Sequence, residues 1–141
     1  MSSQAERFFE GYQQALNAND AAAMTALHQT PSIFVSDQTK RVCSQVDDIR
    51  TVNQSMIDGI NNAGASRCEA LVNQAMRLSD SVFFVNVRWQ LFDQADKKLS
   101  VCHCSYTLQR DAAGDLHIIV AVLDDEDKLF SAMLNGGVHA P

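Results

Sequence analysis

The second half of the chain constrains the fold most. Residues 66–78, 81–93, 98–110 and 115–124 are four segments rich in β-branched and aromatic residues with alternating polarity, the pattern of half-buried strands. Their separators are short: Ser79-Asp80, the polar group from Asp93 to Lys97, and Asp111-Ala112-Ala113-Gly114. Strands joined this closely fold back on one another, which predicts an antiparallel meander. The second segment shows its two faces openly. Phe83, Val85, Val87, Trp89 and Leu91 point one way and Phe84, Asn86, Arg88, Gln90 and Phe92 the other, so the first set faces the core. At about twelve residues these strands exceed the usual five or six. Long antiparallel strands twist and curl, and a curled sheet needs something in its concave side.

The first half supplies that filling. Residues 3–18 read as a helix: Ser3 and Glu6 have capping-box spacing, and Ala5, Phe8, Phe9, Tyr12, Ala15 and Leu16 share a face. Asn19-Asp20 ends it and caps a second helix carrying Ala23, Met24 and Leu27. That helix is expected to stop near Thr30-Pro31, since a residue before proline avoids the helical region. Residues 32–36 read as a short strand, Ser36-Asp37-Gln38-Thr39 as a turn, and Lys40 to Cys43 as a strand pairing back. Ser44 is the expected cap of a third helix, with Asp47 and Asp48 in its first turn and Gly64 at its end. The pattern is α+β: three helices on the concave face of a curved antiparallel sheet of four long strands plus a short strand pair. The 141 residues make a single domain with a core at about 3–125 and a short C-terminal tail. In that tail Lys128 to Leu134 read as a short helix after the acidic run Asp124-Asp125-Glu126-Asp127.

Composition sets the class of partner. Eleven basic against seventeen acidic residues give a net charge of −6, and no basic run occurs, which argues against nucleic acid and anionic membranes. No apolar stretch approaches the roughly 18 residues of a membrane span. Residues Met1 to Arg7 lack the charged-then-apolar pattern of a signal peptide, so a cytoplasmic location is expected. Cys43, Cys68, Cys102 and Cys104 are then expected to be reduced. Cys102 and Cys104 share a strand face and His103 takes the other, so they read as small buried hydrophobes before metal ligands. No phosphate-cradling glycine loop or metal-ligand set is present, and no cofactor is expected.

Tyr106 and Leu108 share strand parity with Cys102 and Cys104; if that face is the concave one, Tyr106 lines the pocket. His103, Ser105 and Thr107 then fall on the convex side. The last strand is apolar on both faces, with Leu116, Ile118, Val120 and Val122 on one and Ile119, Ala121 and Leu123 on the other. One face belongs to the core. The other needs a cover, and a homodimer through the outer sheet face is the expectation. His117 could offer a titrating imidazole on this strand.

The element order of helix, helix, short strand pair, helix and four long strands resembles the nuclear transport factor two-like superfamily. This is the SnoaL-like, cystatin-like α+β fold, and the likeness covers residues 3 to about 125. It implies a cone with an apolar pocket. The superfamily includes isomerases, dehydratases, epoxide hydrolases, cyclases and non-catalytic adaptors, so the fold alone fixes no chemistry. A local stretch, Tyr12-Gln13-Gln14-Ala15-Leu16-Asn17-Ala18-Asn19-Asp20, is similar to the first-helix segment of bacterial ketosteroid isomerases, and Val35-Ser36-Asp37 to the segment holding their general base. The resemblance implies Tyr12 as donor to an enolate oxygen and Asp37 as base. The third position of that group, an aspartate there, falls on Tyr106 here.

Three functions follow from this reading. The first is a pocket lined by Phe8, Tyr12, Trp89, Cys104, Tyr106, Leu108 and His117 that holds a small apolar molecule. The second is a cofactor-independent isomerase or dehydratase using Asp37, Tyr12 and Tyr106. The third is a structural dimerisation domain whose cavity is filled by its own side chains.

Overall fold

A computed structural model describes residues 3–123. The acidic run and the helix expected after it lie outside these residues. Helix α1 (Gln4–Asn17) opens on a reciprocal cap. The Ser3 hydroxyl accepts from the Glu6 N–H at 3.1 Å, and the Glu6 carboxylate accepts from the Ser3 N–H at 2.8 Å. Two donors that a helix start leaves unsatisfied are thereby satisfied. Phe9, Tyr12, Ala15 and Leu16 form its buried face. Asn19, at φ +56°, turns the chain, and Asp20 caps α2 (Ala21–Ala26) by accepting from the Ala23 N–H at 3.0 Å.

Helix α2 ends at Ala26, earlier than the expected stop near Thr30-Pro31, and β1 (His28–Val35) starts before the expected residue 32. The strand runs through Pro31. The β1 ladder is irregular between His28 and Ile33, where a residue without an N–H is tolerated. Strand β2 (Lys40–Cys43) returns antiparallel across the Ser36–Thr39 turn. The cap of α3 (Val46–Asn62) is Gln45, a correction to Ser44: Gln45 N–H donates to the Asp48 carboxylate at 3.3 Å, which places that acid at the positive helix end. Gly64, at φ +92°, leaves α3 in a conformation that side chains resist.

The long strands are β3 (Arg67–Arg77), β4 (Val82–Phe92) and β5 (Lys98–Arg110), followed by a shorter β6 (Leu116–Val122). The sheet order is β2-β1-β6-β5-β4-β3. All pairs are antiparallel except β1 with β6, so the curved, unclosed sheet is mixed. Its inner face carries Val85, Val87, Trp89 and Leu91 of β4 and Cys102, Cys104, Tyr106 and Leu108 of β5, all buried. The helices close over them with Phe9, Tyr12, Met24, Ile49, Val52, Met56 and Ile60. Full burial of each large apolar side chain contributes about 1.5–3 kcal/mol. This is the α+β arrangement expected.

Strand β6 departs from simple alternation. Thr107 pairs with Val120, but Leu108 pairs with Ile118, so Ile119 is an extra residue. Ile118, Ala121 and Leu123 are therefore the buried set, while Val122 is exposed. The grouping of Val120 and Val122 with Leu116 and Ile118 is corrected by this bulge. Part of the two-sided apolar pattern is one core face changing parity within a strand.

Candidate functional site

The concave side of the sheet holds an aromatic cluster. Helix α1 supplies Phe9 and Tyr12, β4 supplies Trp89 and β5 supplies Tyr106. Ring centroids lie 4.8 Å apart for Phe9 and Tyr106, 5.4 Å for Tyr12 and Trp89, and 6.1 Å for Tyr12 and Tyr106. The Trp89 indole N–H donates to the Tyr106 hydroxyl at 3.0 Å. Burial first, and then Cys104, pushes both tyrosine hydroxyls well above their ordinary pKa. They therefore stay protonated at neutral pH, each keeping a proton it can donate.

Tyr12, Trp89, Cys104 and Tyr106 are thus brought together, but sealed by one another. Asp37 is not brought to them: it lies exposed in the β1–β2 turn. His117 pairs with Gln109, on the face away from Leu108. Its Nε2 lies 2.9 Å from an Asp111 carboxylate oxygen. That carboxylate also accepts the Ala113 and Asp115 N–H groups in the hairpin turn that Gly114 completes. The Asp115 N–H and then His117 hold the Asp111 carboxyl below its ordinary range.

A second imidazole joins the inventory from outside the sequence expectations. His28 is 7% exposed and stacks on Phe34 at 5.3 Å. Neither of its nitrogens has a partner among the described residues. Burial, and then the charge of His117, lowers its pKa to about 4. Nothing in the local sequence marks it, since alternation puts it beyond the strand expected to start at residue 32.

Clefts lie at both ends of the sheet: a wide, polar one of about 680 Å³ at Asn19, Asn61, Ser66 and Asp93, and an apolar one beside the start of α1. A cleft of about 190 Å³ separates the first turn of α1 (Ser3, Gln4, Ala5) from the inner sheet face at Ala75, Phe83, Val85, Leu108 and Leu116. Arg77 is the one charged residue among the described residues lining it. Beside the cleft, Arg110 donates to the Gln4 side-chain oxygen and to the Gly114 carbonyl, each at 3.1 Å, with its guanidinium 5.2 Å from the Phe83 ring centre. An adjoining cleft of about 260 Å³ shares Gln4 and Leu116 and is lined also by Arg7, Phe8, Gly114 and Asp115. Leu108 and Phe8 are therefore lining residues of these clefts. The rest of the lining lies outside the residues expected from sequence. A signal exists for it: β3 and β5 run in the same direction on either side of β4, so Arg77 and Arg110, their last residues, fall at the same end of the sheet.

Comparisons with known proteins agree with this architecture. The family described as NTF2-like protein (DUF6841) matches residues 3–126. No curated protein matches the chain. A cystatin-like domain of unknown function from Nostoc punctiforme superposes with TM-score 0.69 at 13% identity, over 99% of this chain and 90% of that one. Aln2 from a Streptomyces species gives 0.68 at 14% identity, over 92% and 93%. A ketosteroid isomerase-like protein from Erwinia carotovora atroseptica gives 0.65 at 14% identity, over 84% and 90%. Likeness at such identity shows the fold alone.

Proposed function

The chain belongs to the NTF2-like protein family, and on that premise we propose that it binds a small apolar molecule in the cleft beside the start of α1. The observation that carries this reading is where apolar free space lies. The aromatic cluster spends its surface on internal packing, whereas Ala5, Ala75, Phe83, Val85, Leu108 and Leu116 face a gap of about 190 Å³. A cavity of about 150 Å³ accommodates benzene, so this cleft suits a single ring or a short chain. A thermal-shift screen with small aromatic ketones and alcohols tests the proposal. At one hundred times its Kd a ligand adds about 2.7 kcal/mol, read as a rise of roughly 10 °C in Tm. Absence of any shift across single-ring compounds would remove the binding reading.

The catalytic alternative, with Asp37 as base and Tyr12 and Tyr106 as donors, has support in one half only. Two protonated hydroxyls side by side suit an oxyanion, but a general base must reach within about 3 Å of the proton it takes, and Asp37 is on an exposed turn. Should a screened ketone be turned over, Asp37→Asn is the variant that decides whether this carboxylate is the base.

The proposal extends to a homodimer through the outer sheet face. Val42, Ile33, Val120, Thr107, Phe84 and Met76 stand in register as one row across the whole sheet. Val42 is 62% and Met76 46% exposed at its two ends. A near-continuous apolar row of this kind is what a second copy would cover. Light scattering at micromolar concentration is expected to give twice the chain mass, and Phe84→Lys to give the monomer. A monodisperse wild-type monomer would defeat the dimer.

A further inference from the structure

We propose that the ligand of the α1 cleft is an apolar monocarboxylate, its chain or ring against Phe83, Leu108 and Leu116 and its carboxylate on Arg77. This rests on the cleft reading above and adds the chemical class. In a chain of net charge −6, the one charged residue on the described lining of an apolar cleft is an arginine. A planar guanidinium is the side chain best matched to a carboxylate, which it can grip through two parallel N–H donors. Arg77 is available for this. Its Nε donates to the Ser79 carbonyl at 3.1 Å, and one terminal nitrogen donates to Asp80 at 2.7 Å. The Asp80 carboxyl is almost wholly exposed, so that ion pair contributes little and can be exchanged for a ligand's carboxylate.

The apolar half of the site is equally defined. Arg110 holds Phe83 from one side and ties Gln4 of α1 to the hairpin at Gly114, so the walls are fixed across the gap. The acidic Asp115 lines the adjoining cleft and not this one. A neutral apolar ligand would use the walls and leave Arg77 with Asp80. An apolar cation would meet Arg77 as a like charge.

Titration calorimetry of the full chain with 3-phenylpropionate and with 3-phenylpropanol, its neutral counterpart, tests this at low salt and pH 7.5. The acid is expected to bind about tenfold more tightly, the scale of one charge-assisted hydrogen bond. Arg77→Gln is expected to bring the acid down to the affinity of the alcohol, and Asp80→Asn to raise the acid's affinity. Leu116→Trp, which fills the cleft, is expected to abolish binding of both; Ala75→Leu on the facing wall serves if that variant does not fold. Equal or tighter binding of the alcohol would overturn the carboxylate inference and leave the cleft reading standing. Failure of both compounds to bind, or their undiminished binding to a folded cleft-filled variant, would overturn both.

Discussion

Trp89→Ala is expected to destabilise the protein by about 3–5 kcal/mol, the range for removing a large aromatic side chain from a packed core. Trp89 is 2% exposed and is the largest fully buried side chain among the described residues. It joins α1 to the sheet through Tyr12 and holds β5 through its hydrogen bond to Tyr106. Truncation therefore removes packing area and an indole donor together. The two contributions can be separated. Tyr106→Phe keeps the ring but leaves the indole N–H without its acceptor, an expected loss of about 1–3 kcal/mol. Trp89→Phe combined with Tyr106→Phe is expected to lose less than the sum of the single changes, by about 1 kcal/mol, because the second change removes a partner already lost. Urea denaturation of the four proteins measures this. Strict additivity would mean that the indole–hydroxyl contact contributes nothing beyond packing.

Acid is expected to weaken the fold well before its carboxylates are protonated. His28 has an ordinary pKa of about 6.5 when the chain is unfolded. In the folded protein burial, and then the charge of His117, lowers it to about 4. The unfolded chain therefore takes up this proton first. Stability from this group is complete above pH 6.5, is lost as the pH falls from about 6.5 towards 4, and levels off below that. The two pKa values differ by about 2.5 units, or about 3 kcal/mol over the whole window. His28→Leu fills the same apolar surroundings beside Phe34 without a titrating group. Denaturation curves at pH 7.5 and pH 4.5 should show the wild type losing at least about 2 kcal/mol more than the variant. Equal losses would mean that His28 is not the group that senses acid.

The parts of the fold that can be read from sequence are those where one signal dominates. Strand β4 is legible because its inward set, Phe83 to Leu91, is apolar at every second position while Asn86, Arg88 and Gln90 mark the other face. The α1 start is legible because Ser3 and Glu6 satisfy each other across one turn. Where two signals compete, the reading fails. Pro31 ends helices but is also accepted in an irregular strand, so β1 starts earlier than its sequence suggests. Ser44 is the better capping residue in general, yet Asp48 lies in reach of Gln45 and decides the boundary. From Ile118 in β6 to Leu123 just beyond it every residue is apolar, so alternation contains no information about the bulge at Ile119. The site shows the same division. Strand and helix parity groups Cys104 with Tyr106 and gives Tyr12 and Trp89 core-facing positions. Parity says nothing of how far those rings interpenetrate, and their packing leaves the apolar cleft at the start of α1 and not among them.

The parallel pairing of β1 with β6 has a consequence for the order of assembly. Val35 meets Val122 and His28 meets Ile118, partners from opposite ends of the domain. Among the described residues the β1–β2 hairpin has no other strand neighbour, so its place in the sheet exists only once β6 has formed beside β5. The three-strand meander β3–β5 can close by short hairpins, whereas this junction closes the longest loop in the sheet. During synthesis the earliest strand must wait for the latest. Until residues 116–122 have emerged, Ile33 and Phe34 remain on an unpaired edge, and that interval is when a nascent chain of this kind is most exposed to pairing with the wrong partner.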